Sequence, residues 1–413
     1  MDGTRRTLAR RARGVVAMLA VWVVVVEGAL QLLCLSPRIE AVVTGHGPEP
    51  LVPDARLGLH GNADYPDHDE WGYRNAERPE RADVVALGDS QTYGTGVKRD
   101  EAWPPALQRR LGTRVYSMAT PNFGTAHYWL ELDRALSLQP RAVLVTVYFG
   151  NDIYDAFRLA TLNPEIGALT SSDLLREGEK LEKSAPLATT GQTLFEPGTV
   201  ERRSLGTPRR LLSEYSRLYN VASTLSRRLS ERGERAEASS APRDVQTRWR
   251  SLSPKQRALT SAYDDGDWHT ILTASYRRTV VDYRDPRIEA GFAVMRGSLA
   301  RMAARAREAG VRLVVAFIPT KENVFAGRIR DFSQHALLQD LVADEEALKR
   351  TVIADMDALG VEHIDLLNAL RASPAQPYDD SMNGHPNVAG HNAIATEIAR
   401  FLQAKRDGER PAA

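Results

Sequence analysis

One cysteine stands in 413 residues, Cys34. It has no partner for an internal disulfide, and zinc motifs built on paired cysteines are excluded; Cys34 reads as an apolar filler. Neither sign of charge dominates: 54 Lys and Arg stand against 53 Asp and Glu. A nucleic-acid partner, which needs a basic surplus, is not expected. No pair of histidines has metal-ligand spacing. "GTGV" (94–97) lacks the Lys-Ser/Thr that completes a phosphate-binding loop. Neither a metal nor another cofactor is expected, and no internal repeat is present.

What is present begins at the N-terminus. Arg5, Arg6, Arg10, Arg11 and Arg13 precede "GVVAMLAVWVVVVEGALQLLCL" (14–35), whose one charge is Glu27. That run is long enough to span a hydrocarbon core. A basic flank predicts an inside N-terminus and an outside remainder. A buried core helix is the competing reading, and it fits poorly beside five arginines. "TRRTLAR" (4–10) resembles a twin-arginine export signal, but no small-residue cleavage site follows. The expectation is a cytoplasmic tail over 1–13, an uncleaved single-pass anchor over 14–35, and an extracytoplasmic remainder, periplasmic or extracellular. The near absence of cysteine is compatible with that, because a large core needs no disulfides.

Residues 36–80, rich in Pro, Gly, His and Asp, read as a linker and lead-in. Five short apolar runs follow: "DVVALGD" (83–89), "RVYSM" (114–118), "RAVLVTVYFG" (141–150), "VRLVVAFIP" (311–319) and "VEHIDL" (361–366). Helical patterns separate them, over 103–111, 128–138, 289–310, 343–360 and finally 389–406. Strands apolar on both faces, alternating with amphipathic helices, predict an α/β fold: a five-stranded parallel sheet in a three-layer α/β/α sandwich. The domain is expected over 81–152 and 289–406. Residues 153–288 break the rhythm and read as a largely helical insertion, flexible around 230–250. Its Arg-rich stretch "SRRLSERGERAEASS" (226–240) reads as a solvated helix face, and the insertion as a cap on the site or a partner surface.

In a parallel sheet, ligands bind at the carboxyl ends of the strands. Ser90 lies just past the first strand, Asn151 and Asp152 just past the third, and His385 in the loop before the last helix. A serine to attack, a histidine to take its proton and donors for an oxyanion are the parts of an acyl-transfer site. Taken singly, Ser90 is a helix cap, Asp152 caps the following helix and His391 packs the start of the last one.

Together these segments resemble the SGNH (GDSL-type) hydrolase family. "GDSQT" (88–92) looks like its first block, "PNFGT" (121–125) its second, "GND" (150–152) its third and "GHPNVAGH" (384–391) its last; "WGYRN" (71–75) also recurs in such proteins. The resemblance covers residues 70–152 and 290–402. It implies an SGNH-hydrolase, flavodoxin-like fold with Ser90 as nucleophile and His385 as base. The oxyanion donors it implies are the Ser90 N–H, the N–H of Asn122 or Gly124, and the Asn151 side chain.

Two departures accompany it. The family commonly has a small residue where Asn122 stands, and Asn tolerates left-handed backbone angles well. The usual acid two or three residues before the histidine is replaced by Asn383 and Met382. Three readings remain: Asp380 reaches in along a longer loop and completes the triad, which is favoured; Asn383 orients the ring without charge; or a backbone carbonyl does. Lys321, in "PTKENVF" (319–325), is a candidate substrate-binding residue, since similar turns occur in SGNH-like proteins acting on exported polysaccharides. The resemblance implies a serine esterase that deacetylates a cell-envelope glycan. The alternatives are an O-acyltransferase on an exported polysaccharide, which needs a membrane acyl-donor partner, or a non-catalytic envelope scaffold.

Overall fold

The computed structural model describes residues 2–35, 49–187, 215–223, 225 and 244–408. The chain divides into two compact units, one of 1–49 with 198–241, the other of 50–197 with 242–413.

In the first unit a helix, α1, runs Asp2–Leu33, straight through the arginine tail into the apolar run. Glu27, the one charge of that run, is not idle. Its carboxylate accepts from the backbone N–H groups of Arg217 (2.7 Å) and Leu218 (2.9 Å) and from the Ser216 hydroxyl (3.0 Å), capping the helical turn that starts there. Among the described residues, no helix is long and apolar enough to cross a membrane. The expected anchor over 14–35 is therefore not supported: it falls partly on positions whose side chains lie outside the described residues, 15, 16, 19 and 20. The first part of the expected linker and lead-in (36–80), residues 36–48, the Arg-rich stretch 226–240 and most of the expected flexible piece also lie outside them.

The second unit is built on a five-stranded parallel sheet. Its strands are β1 (Val84–Gly88), β2 (Val115–Ala119), β3 (Ala142–Tyr148), β4 (Arg312–Ile318) and β5 (Glu362–Asp365), in the order β2-β1-β3-β4-β5. Every residue of β1, β2 and β3 is buried, as a sheet covered on both faces requires. Helices α2 (Trp103–Leu111), α3 (Thr125–Ser137), α4 (Asp152–Leu162), α5 (Pro286–Glu308), α6 (Ala336–Leu359) and α7 (Val388–Gly408) cover it. The chain runs outward from β1 to β2 and then back past β1 to β3. Right-handed crossovers therefore put α2 and α3 on opposite faces. α7 joins α2 on one side, and α4 and α5 join α3 on the other. Between β1 and β3 the winding reverses, which is where α/β sheets open a crevice for a ligand.

Two expected boundaries move. The lead-in is part of the domain from about residue 50. Leu51–Asp54 and Gly58–Gly61 form an antiparallel hairpin, and "WGYRN" clasps the turn that carries Ser90. The Arg74 guanidinium donates to the carbonyls of Tyr93 (3.1 Å), Gly94 (2.8 Å) and Val97 (3.0 Å) while Nε pairs with Asp67 (2.6 Å). The Asn75 amide ties Asp69 to the Ser117 carbonyl of β2. The insertion is also not an appendage throughout. Its first helix, α4, packs on α5, and Ser261–Asp264 pairs with His269–Leu272 in a second hairpin within what was expected to be a largely helical insertion.

Candidate active site

β1 ends at Gly88, where any side chain would collide with a buried hydroxyl pair. A Cβ there would lie 2.2 Å from Thr92 Oγ1 and 2.3 Å from Thr146 Oγ1, and those two oxygens share a hydrogen bond at 2.5 Å. Asp89 then caps a single helical turn, Ser90–Tyr93, by accepting the Gln91 N–H at 2.9 Å. Gly94 ends that turn with φ 81°, a left-handed value that glycine adopts freely. Cap and stop together hold Ser90 at the open carboxyl edge of the sheet, part-buried.

His385 arrives from the other end of the chain. Its Nε2 lies 2.9 Å from Ser90 Oγ. Its Nδ1 lies 2.7 Å from Asn383 Oδ1, which also accepts the His385 backbone N–H at 3.1 Å. Both contacts need an acceptor, so the amide oxygen must face the ring. Nδ1 then carries the proton and Nε2 is free to accept from Ser90. Burial, with the nearby Arg277 and His391, pushes the imidazole pKa down to about 3. His385 is therefore neutral at ordinary pH.

The structure does not bring Asp380 to the histidine. Its carboxylate pairs with Arg248 at 2.6 Å and lies 3.8 Å from His269. The loop turns back at Ser381, whose hydroxyl accepts the Asn383 N–H, so Asn383 takes the orienting place and Asp380 faces the helix Val245–Ser251. Of the three readings left open by the sequence, the uncharged one matches the geometry.

The oxyanion candidates separate in the same way. Asn122 sits at φ 66°, and its N–H makes no hydrogen bond among the described residues. Gly124 does not fit the role: its N–H donates to His127 Nδ1 at 3.0 Å. Gly124 is needed for a close approach instead, since a Cβ there would lie 2.5 Å from the Asp152 carbonyl oxygen. Asn151 Nδ2 donates to Asp155 at 2.7 Å, and the same amide lies beside Asp89. The amide is thus held between Asp155 and Asp89, the residue that caps the Ser90 turn.

Three buried carboxylates surround that amide. Burial raises Asp89 to about 6 and Asp155 to about 7. Burial and the neighbouring Asp89 also lift Asp152 well above its ordinary value. Asp152 accepts from the Tyr148 N–H (3.1 Å) and the Tyr128 hydroxyl (3.2 Å). It holds the "GND" turn from inside rather than capping α4 at its surface.

Lys321 is not available to a substrate. It is wholly buried, and its ammonium donates to the carbonyls of Ile271 (2.9 Å) and Ser381 (2.8 Å) and contacts Thr270 Oγ1 (3.3 Å). Burial lowers its pKa to about 8. It straps the second hairpin to the loop that carries Asn383 and His385, which is a positioning role. His391 is buried at the start of α7, where Nδ1 accepts the Trp103 N–H at 3.3 Å.

Sequence reasoning missed Arg277 and Asp155. Asp155 follows "GND" on the same helix face, four residues after Asn151, so helical spacing carried a signal. Arg277 lies in the charged segment 153–288 and carried none.

No family model matches the chain, and no curated protein matches it. Similar solved structures include that of TesA, at 11% identity and TM-score 0.33, covering 78% of this chain and 98% of that one. Another is a GDSL-like lipase from Bacteroides thetaiotaomicron, at 12% identity and TM-score 0.31, covering 79% of this chain and 89% of that one.

Proposed function

We propose that the chain is an SGNH-type serine esterase. The observation that carries the reading is the Ser90 Oγ–His385 Nε2 contact at 2.9 Å, with the opposite ring nitrogen held by Asn383. Ser90 Oγ attacks the acyl carbon and its proton passes to His385 Nε2. The tetrahedral oxygen takes hydrogen bonds from the Ser90 and Asn122 N–H groups and from Asn151. The carbon–oxygen bond to the alcohol then breaks as His385 returns the proton to the leaving oxygen. Water, activated by the same imidazole, releases the acid from Ser90. Asn151→Ala removes one oxyanion donor, and kcat should fall about 10²- to 10³-fold with KM little changed. An unchanged kcat would remove Asn151 from the chemistry.

The finer reading is an enzyme that deacetylates a cell-envelope glycan, or that moves an acyl group onto an exported polysaccharide when a sugar hydroxyl replaces water. The latter needs a membrane partner that delivers the acyl group. This reading rests on membrane anchoring through 14–35, for which the five arginines and an exposed apolar band on α1 argue. Met18, Val21 to Val26, Leu32, Leu33 and Leu35 all face outward, more apolar surface than a soluble face normally shows.

One experiment addresses these points: labelling of the full chain with a fluorophosphonate probe in fractionated membranes. The expected result is a labelled band that detergent, but not alkaline carbonate, releases. No label on a folded chain would sink the esterase and leave the scaffold. Label in the carbonate supernatant would sink the anchor alone.

A further inference from the structure

Arg277 lies in the last turn of the short helix Ala274–Arg278, directly after the second hairpin. The start of that helix is fixed, because Glu322 Oε1 accepts both the N–H and the hydroxyl of Thr273 at 2.8 Å. The guanidinium lies over two aromatic rings, 5.7 Å from the centre of Tyr148 and 5.2 Å from that of Tyr276. Nη1 donates to the carbonyl of Gly150 at 3.1 Å. Nη2 packs against Gly384, where a Cβ would stand only 2.3 Å away. Gly150 precedes Asn151 and Gly384 precedes His385. The cation is therefore wedged between the residue before the oxyanion amide and the residue before the base.

Arg277 also forms no ion pair among the described residues, although its neighbour Arg278 pairs with Asp340 and Asp344, and Arg248 with Asp380. Nε is buried and makes no hydrogen bond. Glu322 acts on Arg277 through space, but its Oε1 is engaged by Thr273 and its Oε2 makes no hydrogen bond. A stacked guanidinium with unused N–H groups on one edge is preorganised for two-point contact with a carboxylate, phosphate or sulfate. Unpartnered buried donors in a folded protein point to a missing partner.

We propose that Arg277 forms an anion subsite beside Ser90, and that the ester substrate carries an anionic oxygen group close to its acyl carbon. This rests on the esterase reading above. The anion can sit on the acid side of the ester, as in a dicarboxylic half-ester, or on the alcohol side, as in an acylated acidic sugar. Gly384 is glycine because the guanidinium occupies the space of a side chain there.

The test compares matched esters on the full chain in detergent. The neutral ester is 4-nitrophenyl acetate. The carboxylate is placed on the acid side in mono-4-nitrophenyl succinate and on the alcohol side in 4-acetoxybenzoate, with phenyl acetate as its neutral match. Wild type should prefer one carboxylate ester over its neutral match by about 10- to 100-fold in kcat/KM, the range for a hydrogen bond to a charged group. Which one it prefers identifies the side. Arg277→Gln should abolish the preference, and Arg277→Lys, which keeps the charge but not the fork, should retain part of it. A wild type with no preference, or an equal loss on neutral and anionic esters in Arg277→Gln, overturns the proposal. Calorimetric binding of monomethyl and dimethyl succinate to Ser90→Ala, with and without Arg277→Gln, reads the subsite without turnover. If no ester is hydrolysed but the monoanion still binds in preference and depends on Arg277, the esterase reading falls and the subsite stands. If monomethyl succinate is not preferred in binding, neither carboxylate ester is preferred in turnover, and the variants melt as wild type does, the subsite falls.

Discussion

Ser90→Ala, His385→Ala and the double variant should lose nearly the same activity, at least about 10⁴-fold in kcat, rather than adding their losses. The geometry is the reason. Ser90 Oγ and His385 Nε2 share one hydrogen bond at 2.9 Å, and among the described residues the other partner of Ser90 Oγ is Asp89 Oδ2, at the longer distance of 3.3 Å. Asp89 is tied to the Gln91 N–H, so it acts as a cap. Without the imidazole the hydroxyl keeps its proton, and without the hydroxyl the imidazole has nothing to activate. The residual rate should come from the oxyanion donors, and Asn151→Ala in the Ser90→Ala background should lower it further. Steady-state turnover of 4-nitrophenyl acetate by the three variants measures this. If His385→Ala kept more than a tenth of wild-type kcat, the base would have to be another group, and the pairing of Ser90 with His385 would be structural only. Melting curves of all three variants separate lost chemistry from lost folding.

The sheet was legible in the sequence because its cause is local. Strands buried on both faces must be apolar at successive positions, and β1, β3 and β4 could read no other way. The turn that carries Ser90 was legible because Gly88, Asp89 and Gly94 each meet a backbone demand that few residues meet. What was not legible depends on contacts between segments far apart in the chain. Asp380 and Asn383 differ by three positions in one loop. Which of them faces His385 is decided by Arg248, some 130 residues earlier, whose guanidinium holds Asp380 away. Gly124 and Asn122 both carry an N–H, and only the packing of His127 shows which is occupied. Lys321 followed a strand end towards the site, as expected, but three acceptors from the hairpin and the base loop surround it. Arg277 is the extreme case: a basic residue in a charged stretch, given meaning only by Gly150 and Gly384.

Asn383→Asp should move the acid limb of the kcat/KM profile upward by about 1 to 3 pH units. In the wild type the base is neutral, and competent, at any pH above about 3. The imidazole should therefore put no acid limb on the profile between neutral pH and about pH 4, whereas an unperturbed imidazole, with its pKa near 6.5, would already be losing activity; a limb near 6 to 7 would report Asp89 and Asp155 instead. The ionised carboxylate that this substitution places against Nδ1 favours the imidazolium and offsets the burial and the Arg277 charge that lower the pKa. It also stabilises the imidazolium formed when Ser90 attacks, so kcat near pH 8 should hold or rise. Stability shifts with the same sign. A histidine whose pKa is depressed by folding contributes stability that is present above about 6.5, where neither state is protonated, and is lost as pH falls towards 3, because the unfolded chain takes the proton first. His127 and His391 are also held to about 3 by burial and lose their contribution in acid in the same way, while Asp89 and Asp155, raised by burial to about 6 and 7, act in the opposite sense and favour the fold as pH falls. Asn383→Asp should recover part of the His385 loss between pH 5 and 6. Rates and melting temperatures taken on the same samples keep acid unfolding from being read as an acid limb. An acid limb that stays below pH 4 in the variant, with the fold intact, would mean that residue 383 does not touch the ring in solution. The orienting acceptor would then be a backbone carbonyl, the one remaining member of the three readings the sequence left open.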